Sequence, residues 1–388
     1  MTHSDLTRLF REHFHSEPDL YSVAPGRVTL IGEHTDYNGG FVFPAAIDRQ
    51  IYVAATITDG PTELFSEQAG EGKRFDAGSI ELGGTDGWTA YAAGMAWVLR
   101  EHTGAAVPNI RAVVASTLPM GSGVSSSAAI EMAFGVLWNQ VAQLGLDNKT
   151  LALLAQRCEN LFVGVNCGIM DQMASAMGRD GSAMFMDTRT LAIEYARIPD
   201  DLAILVCDTG KPRALTDSAY NERRSQCEVA AGTIGVRELR DANHDDLESH
   251  RAEMSEVVYR RARHVVTEND RCLEFREALN AGHRTEIGRL MAASHESLRD
   301  DYEVSCLELD AMAESSWAAP GCVGARMTGA GFGGVCIALV DSSRVEAFSE
   351  RAGTAYFERT GLTGDFIPCR AVQGAHIFGV QDASKNAG

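Results

Sequence analysis

The sequence predicts a globular protein of mixed helix and sheet with a large core. Of its 388 residues, 45% are hydrophobic and 22% are charged, which is ordinary for a folded chain and wrong for a disordered one. Short β-branched stretches and longer stretches with helical spacing follow one another along the chain. At roughly 100–200 residues per domain, the length predicts two domains or one large one. A change of pattern places the predicted domain boundary near residue 195.

The first half of the chain carries most of the strand patterns. β-Branched stretches bounded by polar or glycine-rich turns predict strands, and apolar residues at helical spacing predict helices. A polar turn at Asp48–Gln50 separates two of these strands, and the polar, glycine-rich residues 67–87 predict an exposed excursion. The predicted strands are Val28–Ile31, Phe41–Ala45, Ile51–Ile57, Ile110–Ser116, Ala183–Met186 and Ala203–Cys207. The predicted helices are Trp88–Arg100, Ser126–Leu144, Lys149–Val163 and one that begins near Asp171.

The second half is dominated by long helical patterns rich in Glu and Arg. A glycine cluster then predicts a hairpin, which is followed by one more helix and a last strand. The predicted helices are Thr216–Ala231, Ser255–Asn280, Thr285–Asp300 and Val345–Thr360. The predicted hairpin is Gly324–Val340, and the last predicted strand is Ala371–Phe378.

Charge and targeting signals argue against several classes of protein. The 34 Lys and Arg against 53 Asp and Glu give a formal net charge of −19, a poor match to nucleic acid or an anionic membrane. No apolar run approaches the roughly 18 residues of a membrane helix, and no secretory pattern opens the chain, so we expect a cytoplasmic location. Nine cysteines without a C-x-x-C pair argue against a zinc ribbon, a redox dithiol or a disulfide framework.

A glycine- and serine-rich loop, Pro119–Ala129, lies where a predicted strand gives way to a predicted helix. Its backbone N–H groups and the helix dipole would face an anion, which favours a phosphate site. Gly121 and Gly123 allow close approach, and the hydroxyls of Ser125–Ser127 can bind phosphate or Mg²⁺. The alternative is an ordinary serine-capped turn.

A second glycine cluster, Thr328–Gly334, formally contains G-x-G-x-x-G. A dinucleotide-binding fold requires a helix next, but Val335–Val340 has a strand pattern, which weakens an interpretation as an NAD-dependent dehydrogenase. The chain has no G-x-x-x-x-G-K-[ST] motif either. A nucleoside triphosphate would therefore be bound without a loop lysine.

A charged turn within Pro25–Gly40 places Glu33, His34 and Asp36 close together. Two carboxylates and an imidazole can hydrogen-bond a neutral polyhydroxy ligand such as a sugar. A solvated turn and a metal site are the alternatives, but the metal site lacks further His or Cys at ligand spacing.

In this order, the three segments resemble the GHMP family of small-molecule kinases, and the charged turn is similar to the signature of its galactokinase members. Gly26–Tyr37 matches that signature except that Thr29 replaces the usual Asn, and Val124 replaces the usual Leu of the phosphate loop. Neither departure removes a residue expected to contact substrate. The likeness continues through Trp88–Gly94, Cys167–Gln172, Tyr220–Arg224, Arg263–Val265 and His295–Leu298.

The resemblance implies an α+β GHMP kinase fold with two lobes, residues 1–195 and 196–388, and the active site in the cleft between them. It implies ATP-dependent phosphorylation of the C1 hydroxyl of α-D-galactose, with galactose and ATP as partners and Mg²⁺ as cofactor, and we expect a monomer. A kinase for N-acetylgalactosamine or another related sugar, such as arabinose, is an alternative. A non-catalytic sensor of galactose and ATP is another.

The resemblance also implies roles for individual residues. Asp171 is the expected catalytic aspartate, which orients the sugar hydroxyl and takes its proton late, while Arg27 stabilises the charge of the transition state. The implied sugar contacts are Glu33, His34, Asp36, Gly168, Asp171 and Tyr220. The implied ATP contacts are Gly121, Ser122, Gly123, Val124, Ser125, Ser126, Ser127, Ala128 and Trp88, with a core position as the alternative for Trp88. The implied Mg²⁺ ligands are Ser127 and Glu159, with an exposed helix surface as the alternative for Glu159.

Overall fold

The computed structural model of the protein describes residues 1–119, 123–212 and 216–379. Within these residues the chain forms two β-sheets with helices packed against them. The strands are β1 (Leu20–Ile31), β2 (Phe41–Ile57), β3 (Thr62–Ser66), β4 (Glu71–Phe75), β5 (Ile110–Ser116), β6 (Ser182–Asp187), β7 (Ala192–Arg197), β8 (Leu202–Asp208), β9 (Cys322–Met327), β10 (Val335–Asp341), β11 (Asp365–Cys369) and β12 (His376–Ile377).

The helices of the described residues lie mostly on the faces of these sheets. They are α1 (His3–Phe14), α2 (Thr89–Thr103), α3 (Ser126–Val141), α4 (Asn148–Arg157), α5 (Met170–Met177), α6 (Thr216–Ile234), α7 (His244–Ser249), α8 (Glu256–Ala281), α9 (Arg284–Asp300), α10 (Leu307–Trp317) and α11 (Val345–Thr360). Helix α4 runs into a π-helical turn at Cys158–Val163. None of these helices is long and apolar enough to cross a membrane.

The larger sheet has the strand order β12-β1-β2-β5-β3-β4, and β6 pairs with both β2 and β7. The smaller sheet has the order β11-β8-β10-β9 and is antiparallel throughout. In the larger sheet, β3 and β5 are parallel and the other described pairs are antiparallel. Helix α3 is buried continuously from Ala128 to Trp138, so the helix that follows the first glycine loop is anchored in the core.

The sequence located most of these elements and misjudged a few. The turn predicted at Asp48–Gln50 is wrong, because β2 is one continuous 17-residue strand. The pairing with β1 shifts register here, because residues 47–49 of β2 lie opposite the single residue Gly26. The excursion predicted at 67–87 includes β4, which forms a hairpin with β3. The strand predicted at Ala371–Phe378 is reduced to β12.

Other elements were missed because their local patterns are weak. Helices α1, α7 and α10 and strands β7 and β11 have no counterpart among the predicted elements. Strand β7 is only partly buried, so its side chains lack the apolar alternation that identifies a strand. All nine cysteines are free thiols, and six of them are buried.

Candidate active site

A cavity of about 430 Å³ lies where the charged turn meets both glycine clusters and the start of α5. Twelve residues singled out from the sequence line it: Arg27, Glu33, His34, Asp36, Gly123, Ser125, Ser126, Ser127, Glu159, Gly168, Asp171 and Tyr220. Segments that are far apart in the sequence therefore converge on one site. Because these residues span β1 to α6, the convergence is a property of the fold.

Three described residues named from the sequence, Val124, Ala128 and Trp88, do not line the cavity. Gly121 and Ser122 lie outside the described residues. Val124 and Ala128 are buried behind the loop, and the Val124 carbonyl accepts a hydrogen bond of 3.0 Å from the Arg27 backbone N–H. Trp88 packs against the core beside the larger sheet, while Tyr91 on the first turn of α2 reaches the cavity.

Arg27 and Asp171 form a bidentate ion pair at the cavity wall. Arg27 Nε donates to Asp171 Oδ1 and Arg27 Nη2 donates to Asp171 Oδ2, each at 2.8 Å. Burial alone would lower the pKa of Arg27, but the charges of Asp171, Glu33 and Asp36 outweigh it, so the pKa is raised. Arg27 is almost fully buried, whereas Asp171 keeps 29% of its side chain exposed. The carboxylate therefore presents an open face to the cavity.

The phosphate-loop segment is shaped by left-handed backbone at Gly123 and Ser125, whose φ angles are +82° and +61°. The Gly123 carbonyl accepts a 2.8 Å hydrogen bond from Arg27 Nη1, and the Ser125 hydroxyl donates to Asp171 Oδ2. The side chain of Ser125, the N-cap residue of α3, makes no capping hydrogen bond. The N–H groups of its first turn are thus available to an anion in the cavity. Ser126 and Ser127 also line the cavity there.

The charged turn is held against the second glycine cluster. Gly32 and His34 both adopt positive φ, which produces the sharp turn and directs Glu33 inward. Glu33 Oε1 accepts hydrogen bonds from the Thr328 hydroxyl at 3.0 Å and from the Gly329 N–H at 2.6 Å. Burial raises the pKa of Glu33 above its ordinary value, although the nearby arginines oppose the shift.

His34 is neutral and both of its ring nitrogens are occupied. Nδ1 lies 2.8 Å from the Tyr37 hydroxyl, and Nε2 lies 3.2 Å from the Ala330 carbonyl oxygen. The carbonyl can only accept, which assigns the proton to Nε2. Burial lowers the pKa of His34 to about 3. A hydrogen bond from this ring to a sugar would have to replace one of the two internal bonds.

Asp36 lies directly beneath the backbone of Gly168. Its Oδ1 accepts from the Tyr37 N–H at 3.0 Å and its Oδ2 from the Met170 N–H at 3.4 Å. Burial, together with the charge of Asp171, raises the pKa of Asp36 to about 6. The carboxylate therefore has capacity for further hydrogen-bond donors, such as sugar hydroxyls.

Tyr220 on α6 closes the side of the cavity next to the charged turn. Its ring centroid lies 5.1 Å from that of Tyr37 and 5.6 Å from that of His34. Burial raises the pKa of the Tyr220 hydroxyl well above its ordinary value, so the group stays protonated and can donate a hydrogen bond.

Glu159 is buried in the π-helical turn, so the exposed position considered from the sequence is wrong. Burial, with the charge of Asp171, raises its pKa to about 7, although the nearby Ser127 hydroxyl opposes the shift. Both side chains reach the cavity with oxygen atoms, the ligands that Mg²⁺ prefers. Among the described residues, no group of three or more His, Cys, Asp or Glu side chains is placed to hold a metal ion. A cation here would take its remaining ligands from phosphate and water.

Sequence reasoning assigned no role to two buried side chains behind the cavity, Gln172 and Glu131. Gln172 donates from Nε2 to Glu159 Oε2 at 2.6 Å and to Glu131 Oε2 at 3.2 Å. The resemblance covered Gln172 but assigned it no role, and Glu131 carried no prediction beyond its place in a predicted helix. No local signal links residues 131, 159 and 172, because only the folded chain brings them together.

Comparisons with known proteins agree with this geometry. The chain matches the galactokinase galactose-binding signature over residues 8–57, the GHMP kinase amino-terminal domain over residues 90–179 and the GHMP kinase carboxyl-terminal domain over residues 275–359. It is 42% identical over 376 residues to a galactokinase of Roseiflexus sp. (strain RS-1), covering 95% of this chain and 96% of the relative. It is 40% identical over 383 residues to a galactokinase of Lactiplantibacillus plantarum, covering 96% and 99%.

A solved structure extends the comparison to three dimensions. The crystal structure of Lactococcus lactis galactokinase complexed with galactose superposes with a TM-score of 0.90 at 36% identity, covering 96% of this chain and 99% of that one. The predicted GHMP kinase fold of mixed helix and sheet is thereby confirmed. Because the galactose signature, both kinase domains and nearly the whole length agree, this chain is a member of the galactokinase family of sugar kinases.

Proposed function

We propose that this chain transfers the γ-phosphoryl group of ATP to the C1 hydroxyl of α-D-galactose, giving galactose 1-phosphate and ADP. The observation that carries the proposal is the Arg27–Asp171 pair, which faces a cavity of about 430 Å³ between an uncapped helix amino terminus and the carboxylates of Glu33 and Asp36. An anionic donor fits the first side and a polyhydroxy acceptor fits the second. Phosphoryl transfer requires this kind of positioning more than it requires covalent chemistry.

Asp171 and Arg27 have complementary roles in this reaction. The exposed face of Asp171 accepts the hydrogen bond of the attacking hydroxyl and orients its oxygen toward the phosphorus atom. The proton passes to Asp171 late, as the new bond forms. Arg27 is fixed by Asp171 and by the Gly123 carbonyl, so its charge is in place before the transition state develops.

The nucleotide is expected along the loop from Gly121 to Ala128, with Ser126 and Ser127 toward its phosphates. The chemistry that Mg²⁺ would supply here is neutralisation of the phosphate charge. Ser127 and Glu159 would hold the ion, because both reach the cavity with oxygen ligands. Trp88 as a residue near the adenine stays a prediction, and Tyr91 is the aromatic residue of α2 that reaches the cavity.

The sugar is expected on the side of the charged turn. The carboxyl groups of Asp36 and Glu33 accept hydrogen bonds from ring hydroxyls, the Tyr220 hydroxyl donates one, and Gly168 leaves the space that Asp36 occupies. A site built to bind hydroxyls rejects analogues that leave its buried polar groups unpaired. The two lobes at 1–195 and 196–388, the cytoplasmic location and the monomeric state also belong to this proposal.

A coupled assay of ADP release with galactose, Mg²⁺ and ATP tests the function. We expect turnover with galactose, much less with N-acetylgalactosamine or arabinose, and its loss in Asp171→Ala. Comparable turnover of N-acetylgalactosamine would overturn the preference for galactose. Full activity in Asp171→Ala would overturn the role of Asp171, and binding of both ligands without ADP release would favour a sensor.

A further inference from the structure

A buried carboxyl group lies beneath the phosphate loop, and the mechanism above does not use it. Glu131 is on α3, one helical turn after Ser127, and is completely buried among apolar residues of the core. Burying a polar side chain costs free energy unless it makes compensating hydrogen bonds. An apolar side chain would fill this position in α3 at lower cost, so packing alone does not explain a glutamate here.

Gln172 connects Glu131 to the active site. Its side-chain Nε2 carries two hydrogens and donates to two carboxyl groups, to Glu159 Oε2 at 2.6 Å and to Glu131 Oε2 at 3.2 Å. Gln172 is itself fully buried, and its Oε1 finds no hydrogen-bond partner among the described residues. An unpaired buried oxygen is unfavourable, so the hydrogen bonds from the two N–H groups are what compensate for burying this amide.

The orientation of Glu159 therefore depends on two buried side chains behind it. The Ser127 hydroxyl contacts Glu159 from the loop side, while Gln172 holds its Oε2 atom from the core side. The Cys167 thiol lies 3.6 Å from the same oxygen. Glu131 in turn fixes the rotamer of Gln172, because Gln172 would otherwise have only one carboxyl partner.

We infer that Glu131 is a positioning residue for phosphoryl transfer, which acts through Gln172 to hold the Glu159 carboxylate in the orientation that binds the metal of the metal–nucleotide substrate. This inference rests on the proposed function, in which Glu159 binds Mg²⁺. Burial, and then the charge of Glu159, raises the pKa of Glu131 well above its ordinary value.

Two substitutions separate this role from simple packing. Glu131→Leu introduces an apolar side chain of similar size and removes the hydrogen-bond acceptor. Glu131→Gln retains a side chain that can accept the hydrogen bond from Gln172. Met132→Leu is the matched control, because Met132 is a buried neighbour on α3 and the change conserves volume. Calorimetric titration with Mg²⁺·ADP and with ADP in the presence of a chelator measures the metal-dependent part of nucleotide affinity without any turnover.

We expect Glu131→Leu to weaken Mg²⁺·ADP binding by about 10–100-fold, the usual effect of losing a partner behind a metal ligand. Binding of metal-free ADP and the KM for galactose should stay unchanged, the Mg²⁺ concentration for half-maximal rate should rise, and Glu131→Gln should restore most of the loss. Unchanged Mg²⁺·ADP affinity in Glu131→Leu would overturn the inference, and so would equal damage in Glu131→Gln.

Misfolding of the Glu131→Leu variant and failure of the proposed function would give different results. If Glu131→Leu does not fold, Gln172→Leu tests the same connection and should show the same selective loss of metal-dependent affinity. An equal loss of ADP affinity with and without metal in that variant would overturn the inference. A wild-type protein that binds Mg²⁺·ADP but does not phosphorylate galactose would contradict the proposed function, while the titrations would still test Glu131.

Discussion

Gly168 and Asp36 are so close that a side chain at residue 168 has no room. A Cβ atom built on Gly168 would overlap the Oδ2 atom of Asp36. The φ angle of Gly168 is not in the left-handed region, so the glycine is required by this close approach and not by a turn. Gly168 therefore covers the carboxylate, and the Met170 N–H at the start of α5 donates to it.

Gly168→Ala should impair galactose binding selectively. The added methyl group displaces Asp36 or the segment above it, and a displacement of about 1 Å in a positioned group can reduce kcat/KM about 100-fold. We expect this loss for galactose with little change in the affinity for ADP. Steady-state kinetics with each substrate varied, together with calorimetry, would measure it.

Gly232→Ala is the matched control for this substitution. Gly232 is an exposed residue of α6, and a Cβ added there would meet no atom within 4 Å. An alanine in a helix is favoured over glycine by about 0.5–1 kcal/mol, so the control should be active and slightly more stable. Equal activity in Gly168→Ala and Gly232→Ala would contradict the close contact between Gly168 and Asp36.

Asp171→Asn should abolish most of the activity while leaving the fold intact. Asparagine keeps the size of the side chain but cannot take the proton of the attacking hydroxyl, a contribution worth about 10²–10⁴-fold in rate. The loss should appear in kcat, with a smaller change in KM. A KM effect alone, with kcat preserved, would mean that Asp171 binds the sugar and does not take part in the chemistry.

Arg27→Lys should be nearly as damaging as the loss of Asp171. Lysine retains the positive charge but cannot make the bidentate contact with Asp171 and also reach the Gly123 carbonyl, as Arg27 does. We expect a loss in kcat of at least about 100-fold, by analogy with the arginines that stabilise phosphoryl transfer. Wild-type kcat in the folded variant, as judged by its thermal melt, would show that charge alone is sufficient.

The sequence could predict these residues because their signals are local. The charged turn, the serine-rich loop and the segment around Asp171 each carry their chemistry within a few neighbouring positions. Glu33 was identified in this way, but its contact with the Thr328 hydroxyl joins residues 295 positions apart. Such contacts depend on how the two sheets are placed in the fold, and the spacing of apolar residues along the sequence does not predict that placement.

The missed features follow the same distinction. The turn predicted at Asp48–Gln50 rested on polarity, whereas the chain stays extended there because Gln50 pairs with Pro25 of β1 and the Asp48 N–H donates to the Arg370 carbonyl. Glu131 falls within a helix whose residues are buried on all sides, so its sequence position did not distinguish it from the core. Its connection to Glu159 arises through Gln172, whose side chain comes from another helix.

Asp36→Asn should make the protein more stable and less able to bind galactose. The pKa of Asp36 is raised from 3.8 to about 6, so the folded state retains a proton that the unfolded chain releases in this interval. Stability is therefore lost as pH rises from about 4 to 6, and the loss persists above that range. The Asn variant does not suffer this loss, so its free energy of unfolding should exceed that of the wild type by about 2–3 kcal/mol at pH 7 and match it near pH 3.

Denaturant unfolding at several pH values would measure that difference, and calorimetry would follow galactose. Wild-type affinity for galactose should fall as pH drops below about 6, because the protonated carboxyl loses capacity as an acceptor. Asp36→Asn should bind weakly across the whole range. A stability difference that does not change between pH 3 and 7 would argue against a raised pKa at Asp36.

Glu268→Gln should weaken the support of the charged turn from the second half of the chain. Glu268 is fully buried on α8, and its Oε1 accepts from the Gly32 N–H at 2.9 Å and from the Ser294 hydroxyl at 2.6 Å. Its Oε2 accepts from Arg271 Nε at 2.6 Å. The amide of glutamine would place two hydrogens among donors, so we expect weaker galactose binding as Gly32 and the adjoining Glu33 lose their fixed position.

The difference in stability between this variant and the wild type should also depend on pH, with the opposite sign to that of Asp36→Asn. Burial alone would raise the pKa of Glu268, but the positive charge of Arg271 and further groups hold it at about 2, below the ordinary 4.5. The stabilisation is present above about pH 4.5 and disappears as pH falls toward 2, so Glu268→Gln should cost about 3 kcal/mol at pH 7. Glu277→Gln, at an exposed position of α8, should cost less than about 0.5 kcal/mol at any pH. Equal effects of the two variants in urea unfolding would show that the buried carboxylate does not anchor Gly32.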